Sequence, residues 1–289
     1  MKQQERTQTS TEKRLIPAIN FHVIKSCNMK CKYCFAQFND CNANMINKAD
    51  AKSIIASIKE KGFEKITFSG GEPLLLPYLP ELIKYSKDIG LTTMLVTNGS
   101  LLSEEILHSL KGKLDWIGLS IDSLDNNTNH KLGVCYSNKT INYRELIKSI
   151  QKYSYRLKIN TVVSRYNYNS SELGRFIEEV KPERWKVMQA LEIEGENDKY
   201  SKDYLITEEE FSLFKKENMV NEDLMIPENN QDMKGTYVMI SPNGRFFTNR
   251  NGDIRYSKPI TEVGLEKAYD SMNYSYTGFE NRKGIYNWK

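Results

Sequence analysis

Three cysteines at spacings of four and three residues, Cys27, Cys31 and Cys34, fall in the short stretch Cys27-Asn28-Met29-Lys30-Cys31-Lys32-Tyr33-Cys34-Phe35. Thiolates are soft ligands, and three of them on one loop suit zinc or an iron–sulfur cluster. Structural zinc sites and common electron-transfer clusters take four protein ligands, so three thiolates leave one metal position open for something else. Cys41 lies seven residues beyond Cys34 and is the candidate fourth ligand of a zinc site, although it reads better as a lone small residue.

A second stretch, Lys65-Ile66-Thr67-Phe68, is a short strand that breaks into Ser69-Gly70-Gly71-Glu72-Pro73. Its two glycines let the backbone approach a ligand closely or adopt positive φ. Alone, a simple turn accounts for it equally well. The third feature is one of facing. Lys158 and Asn160 alternate with Ile159 and Thr161, and Arg184 and Lys186 alternate with Trp185 and Val187. Each polar pair therefore shares a strand face. Charged side chains are rarely buried unpaired, so three cations and an amide on neighbouring strands call for an anion. A polyphosphate suits them, and the arginine fork suits phosphate. Any one of these residues taken singly would fit outside, against a helix carboxylate; two strands in the same register favour a site. His22, on one face with Asn20, reads as a core histidine, and Tyr237 as a packing aromatic.

The elements that must position these groups alternate. A strand over residues 15–26 precedes the cysteine loop, and a helix capped by Asn47 runs through Ile54, Ile55 and Ile58 to Gly62. Strands over 65–68, 92–97, 115–123, 157–163 and 184–190 are interleaved with helices over 82–89, from Ser103, 143–153 and 171–180. Such β/α alternation predicts parallel strands with crossover helices, here a partial (βα)6 TIM-like barrel over residues 15–195, with ligand chemistry at the carboxyl ends of its strands. Beyond Glu194 the alternation stops. Residues 196–289 are expected as a C-terminal α+β cap packed on the barrel, with a helix over 208–216 and strands at 237–240 and 245–247.

The 289 residues are 39% hydrophobic and 11% aromatic, enough for a sizeable core. A net charge of +4 on 27% charged residues gives no nucleic-acid-type basic field. Five cysteines, three of them in one motif, argue for metal binding in a reducing compartment over a disulfide framework. Residues 1–14 are polar with no apolar central run, and no later run approaches a membrane span. A cytoplasmic protein with a disordered lead-in over 1–14 is expected.

Together these stretches resemble the viperin-like family of radical S-adenosylmethionine (SAM) enzymes. The resemblance rests on Asn20-Phe21-His22-Val23, the three cysteines with Phe35, Lys65 with Ser69-Gly70-Gly71-Glu72-Pro73, and Ser120-Ile121-Asp122-Ser123. It continues through residues 158–163, 184–187, 193–197 and 227–231 to Tyr237 and the closing Tyr286-Asn287-Trp288. The early motifs mark the radical SAM superfamily, and those from Lys158 onward mark the family.

The resemblance implies a [4Fe-4S] cluster on Cys27, Cys31 and Cys34, with SAM on its open iron. SAM would be held by Ser69, Gly70, Gly71 and Glu72, with Asn98 and Ser120. It implies that a 5′-deoxyadenosyl radical takes the 4′ hydrogen of a ribonucleoside triphosphate (CTP, UTP or GTP). Loss of the 3′ hydroxyl as water and reduction then give a 3′-deoxy-3′,4′-didehydro nucleotide, a chain terminator in antiviral defence. Lys65, Lys158, Asn160, Arg184 and Lys186 would hold the triphosphate and Asn20 the nucleotide. Tyr237 and Lys158 would serve catalysis, Tyr237 as a hydrogen donor. A flavodoxin or ferredoxin would supply electrons to a monomer that needs neither membrane nor nucleic acid. The chain departs from the family at Gly133-Val134, where an arginine for the SAM carboxylate is common; Lys131 or Lys139 would have to substitute. Trp288 resembles a tail used in cluster insertion. The alternatives are a peptide-modifying radical SAM enzyme, although no cysteine follows Cys135 to build the extra clusters of many such enzymes, or a non-catalytic nucleotide- or zinc-binding protein on the same fold.

Overall fold

The structure, a computed structural model, describes residues 14–39, 41, 45–137, 141–219 and 224–289. All but one residue of the expected disordered lead-in, and Lys139, lie outside the described residues. The first unit runs from β1 (Ala18–His22) through α1 (Lys48–Glu60) to β2 (Lys65–Ser69), followed by α2 (Leu79–Asp88) and β3 (Thr92–Thr97). Next come α3 (Glu104–Leu110), β4 (Trp116–Ser120), α4 (Asn126–Leu132), α5 (Tyr143–Lys152), β5 (Arg156–Val163), α6 (Glu172–Val180) and β6 (Arg184–Gln189). The remainder holds α7 (Ser201–Tyr204), α8 (Glu208–Glu217), β7 (Met225–Glu228), α9 (Asn230–Met233), β8 (Val238–Ile240), β9 (Phe246–Thr248) and β10 (Arg255–Tyr256). Three short helices close it: α10 (Ile260–Val263), α11 (Leu265–Asp270) and α12 (Tyr276–Asn281).

Several helices begin where short polar side chains satisfy free backbone N–H groups. Asn47 accepts from the Asp50 amide at the start of α1, and Thr207 and Glu210 form a reciprocal capping box at α8. Apolar residues at helical spacing (Ala51, Ile54, Ile55 and Ile58 in α1) then face the sheet. Outward-pointing strand residues, among them Phe21, Phe68, Leu95, Ile117, Ile159 and Trp185, meet the helices and are fully buried. The opposite parity of every strand therefore lines the interior, where the polar residues lie.

All ten strands form one sheet in the order β10-β9-β8-β1-β2-β3-β4-β5-β6-β7. From β8 to β7 every neighbouring pair is parallel, while β9 and β10 are antiparallel additions. The barrel is thus larger than six βα units. After α8 the alternation resumes, and β7 pairs with β6 while β8 pairs with β1. Residues 196–289 supply strands to both edges of the sheet instead of only packing over it. β7 escapes periodicity because it is four residues long and contains Pro227, a residue tolerated on an edge strand. β1 is shorter than expected, because residues 23–26 leave the sheet to meet the exit of β2.

Residues 282–289 turn beneath the barrel at the amino ends of its strands. Trp116 Nε1 donates to the Trp288 carbonyl at 3.0 Å, and the Arg156 guanidinium donates to the carbonyls of Asn287 and Lys289 at 2.9 and 2.8 Å. Trp288 is buried in this floor, where it helps close the lower end of the barrel.

Candidate active site

The cysteine loop begins at the carboxyl end of β1 and is clamped from two sides. On the β2 side the Gly71 amide donates to the Ile24 carbonyl at 2.7 Å and the Glu72 amide to the Ser26 carbonyl at 2.9 Å. A Cβ on Gly71 would lie 2.1 Å from the Ser26 oxygen, and one on Gly70 2.4 Å from the Ile24 oxygen. These glycines do serve close approach, but to the chain's own backbone. On the α4 side the amides of Lys30 and Lys32 donate to the carbonyls of Gly133 and Leu132 at 3.1 and 3.0 Å. Gly133 has φ +77°, and a Cβ there would stand 2.1 Å from the Lys30 oxygen. Between the cysteines, Tyr33 donates its hydroxyl to the buried Asp122 carboxylate, and Asn197 Nδ2 donates to the Tyr33 carbonyl at 2.9 Å.

Cys27, Cys31 and Cys34 are half-buried and free of disulfides. Burial pushes all three thiols up, Cys34 to about 11, and the other sulfurs add repulsion at Cys31 and Cys34. As bare thiolates they repel one another, and cationic iron at each sulfur removes that penalty. Among the described residues no three His, Cys, Asp or Glu side chains converge on a single ion. A cubane cluster asks for something else, one thiolate on each of three different irons. This donor set fits such a cluster. Cys41 is buried with Ala36, Phe38, Met239 and Phe247 in an apolar group on which Cys34 and Phe35 also pack.

Beside the loop, the buried Glu72 carboxylate accepts from the Leu74 amide at 3.1 Å, the Thr97 hydroxyl at 2.8 Å and the Asn98 amide at 2.9 Å. Burial raises its pKa and these donors oppose the shift. Asn98 Nδ2 reaches Asn28 Oδ1 at 2.9 Å and lies 4.0 Å from Cys27 Sγ. Ser69 Oγ is buried with no hydrogen-bond partner, and Ser120 is half-buried at the end of β4. An orphan hydroxyl, a half-open serine and an asparagine against the cysteine loop fit a polar cofactor there. Val134 is buried against Met29 and Leu132, and Lys131 is exposed. His22 is a core histidine packed edge-on to Phe35 and Phe38; burial lowers its pKa to about 4 while a bond with the Gly70 backbone opposes the shift.

Below the cysteines, register brings the cations together. Lys158 pairs with Arg184 and Asn160 with Lys186 across β5 and β6, while Ala18 pairs with Lys65 and Asn20 with Thr67 across β1 and β2. Lys65, Asn160, Arg184 and Lys186 are buried; Lys158 and Asn20 are half-buried. Lys65 sits among the rings of Tyr286, Trp288 and Trp116 and donates to the Tyr286 hydroxyl. Arg184 stacks 4.2 Å from the Tyr286 ring centroid and donates to the Lys283 carbonyl at 2.5 Å. Lys186 forms a 2.7 Å ion pair with Glu228 and donates to the Tyr237 hydroxyl, which in turn donates to Glu228. Burial and then the neighbouring cations lower Lys65 well below the usual lysine range, and Lys158 falls to about 7 by burial with Arg184 beside it. Burial would raise the Glu228 carboxyl, but Lys186 and Arg282 outweigh it and keep it ionised.

Three members of this chamber are not readable from strand spacing. Glu228 lies at the end of the short β7. Arg282 follows α12, stands 3.6 Å from the Tyr237 ring centroid and pairs with Glu228 at 3.4 Å. Its sequence setting, Glu280-Asn281-Arg282-Lys283, looks like a solvated helix end. Tyr286 arrives with the floor segment. Residues 227–231 enter the sequence reading only through the resemblance; a seventh strand inferred from Met225-Ile226-Pro227-Glu228 is the signal that would place Glu228 in the barrel.

Residues 21–179 match the radical SAM superfamily model. The S-adenosylmethionine-dependent nucleotide dehydratase of Flammeovirga pacifica is 47% identical over 95% of this chain and 97% of its own length. A protein of the same name from Lacinutrix mariniflava is 46% identical over 98% of this chain, which spans 61% of that longer protein. Among solved structures, native anSMEcpe with bound AdoMet and a Kp18Cys peptide superposes with a TM-score of 0.69 over 93% of this chain and 84% of that one. At 15% identity, that likeness speaks for the fold alone. The chain belongs to the radical SAM superfamily, within the family of S-adenosylmethionine-dependent nucleotide dehydratases.

Proposed function

We propose that this enzyme dehydrates a ribonucleoside triphosphate to its 3′-deoxy-3′,4′-didehydro analogue, drawing one-electron reductant from a flavodoxin- or ferredoxin-type donor. The observation that carries the reading is the buried cationic chamber directly beneath the cysteine loop. It matches a polyphosphate in charge, and nothing in a cofactor site alone calls for it. When bound, the cluster with SAM supplies a 5′-deoxyadenosyl radical able to remove the ribose 4′ hydrogen.

The chain's own residues do the remaining work. Lys65 and Arg184, low in the barrel and stacked on Tyr286, bind the outer phosphates, while Lys158, Asn160 and Lys186 bind those nearer the ribose. Asn20, half-buried on β1, faces the nucleoside. The rigid β5–β6 register fixes the distance from phosphates to ribose and so presents one sugar edge to the cysteine loop. Lys158, half-buried beside Arg184 with its pKa lowered to about 7, is suited to protonate the departing 3′ hydroxyl. Tyr237, held between Lys186 and Glu228, is a hydrogen donor facing the same space. The floor formed by residues 282–289 keeps water from the phosphate end. No helix among the described residues is long and apolar enough to cross a membrane. We infer a cytoplasmic monomer active in antiviral defence through chain termination.

Anaerobic turnover of the reconstituted, reduced enzyme with SAM and CTP, UTP, GTP or ATP, read by mass spectrometry, tests the proposal. A dehydrated nucleotide appearing with stoichiometric 5′-deoxyadenosine is expected. Deoxyadenosine without any nucleotide product would refute the substrate class.

A further inference from the structure

The chamber's charge balance says more than that an anion belongs there. Five cations act on one another inside the barrel: Lys65, Lys158, Arg184, Lys186 and Arg282. The one carboxylate acting on them among the described residues is Glu228, and its oxygens are taken. Oε1 meets Lys186 at 2.7 Å and Arg282 at 3.4 Å, and Oε2 accepts the Tyr237 hydroxyl. Arg156, at the underside of the floor, is spent on the carbonyls of Asn287 and Lys289.

With every group ionised, the chamber carries four positive charges in excess of Glu228. A free nucleoside triphosphate carries about −4, from about −2 on its terminal phosphoryl and about −1 on each of the other two. The magnesium complex carries only about half of that, because the ion cancels two charges. Magnesium in phosphate sites is normally held by one or two protein carboxylates besides the phosphates. Among the described residues this chamber has no uncommitted carboxylate to offer, and it would set the ion beside five cations, four of them buried.

We propose that the site takes its triphosphate free of divalent metal, with the protein's five cations doing the neutralising that magnesium does elsewhere, and that Arg282 is the fifth of them. The inference rests on the nucleotide reading above and specifies the ionic form of the substrate. Chelation by magnesium therefore competes with the enzyme for its substrate.

The test is calorimetric titration of the cluster-reconstituted, SAM-loaded enzyme with CTP, UTP and GTP, and with inorganic tripolyphosphate. Each is run in EDTA and again in excess magnesium at matched ionic strength, together with the exchange-inert cobalt(III) tetraammine complex of each nucleotide. Magnesium is expected to weaken apparent binding by about tenfold or more, for nucleotide and tripolyphosphate alike, and the cobalt complex to bind at least about tenfold more weakly than free nucleotide. Equal or tighter binding of the chelated forms overturns the inference while leaving the nucleotide reading standing. Failure of every phosphate ligand to bind under either condition overturns both.

Discussion

The two ends of the barrel are held together by different means. At the carboxyl ends of the strands, the cysteine loop is fixed by backbone against backbone: Gly70, Gly71 and Gly133 press on carbonyls of residues 24–30, with amide bonds on both sides. At the amino ends, the chamber is fixed by side chains from four separate segments, β2, β5–β6, β7 and the floor after α12. Their charges are nearly all of one sign. A backbone clamp leaves no room for a methyl group, yet it is indifferent to charge. The chamber tolerates shape changes better, but it is an incomplete electrostatic structure that an anion completes. One end is built to keep a loop still, and the other to wait for a ligand.

The sharpest way to break that contrast is Gly71→Ala. The Cβ would have to displace the Ser26 carbonyl, so iron content and turnover should fall by about 100-fold or more, while tripolyphosphate affinity changes little. A variant that keeps its cluster would show that the clamp is dispensable. From the opposite end, Lys186→Met should leave iron content intact and weaken tripolyphosphate binding by about 10- to 100-fold, because it removes a charge-assisted contact and leaves Glu228 short of a partner. Unchanged affinity would mean that Lys186 serves only its internal ion pair.

A smaller effect concerns pH. In the empty enzyme Lys158 has its pKa lowered to about 7 by burial, then by Arg184, so it is largely neutral above that value. A bound polyanion restores the proton, and nucleotide affinity should therefore decline as pH rises above about 7, by at most about tenfold per pH unit. Titrations at several pH values should show this slope in the wild type and a shallower one in Lys158→Met, since Lys65 and Lys186 are depressed as well. The last effect belongs to the cysteine end and touches stability, not binding. His22 falls from 6.5 to about 4, so the unfolded chain gains a proton in this window and the native state does not. Stability is complete above about 6.5 and declines on acidification toward about 4, by on the order of 3 kcal/mol at most. Urea midpoints at neutral and mildly acidic pH should differ less for His22→Gln than for the wild type.

Some of this was legible in the chain and some was not, for identifiable reasons. The cysteine loop and Ser69-Gly70-Gly71-Glu72 could be read because their chemistry is contained in consecutive residues. The facing of Lys158, Asn160, Arg184 and Lys186 followed from period-2 alternation, which any strand imposes. The glycines illustrate the limit: the sequence announced a close approach at Gly70 and Gly71 but not that the neighbour would be Ile24–Ser26. β7 and β8 were missed as barrel strands because segments of three or four residues carry too little of a periodic pattern, and α4 because Asn126–Leu132 is mostly polar.

What the sequence determined by itself was the β/α order as far as β6 (α4 apart), the clustering of three cysteines on one loop and which strand residues share a face, since each depends on neighbours a few positions away. Only the tertiary structure decided that Glu228, Arg282 and Tyr286 join Lys65 and Lys186 in one chamber. Those five residues span Lys65 to Tyr286, and contacts at that separation are made by the curling of the sheet and the return of the tail beneath it, which leave no local pattern to read.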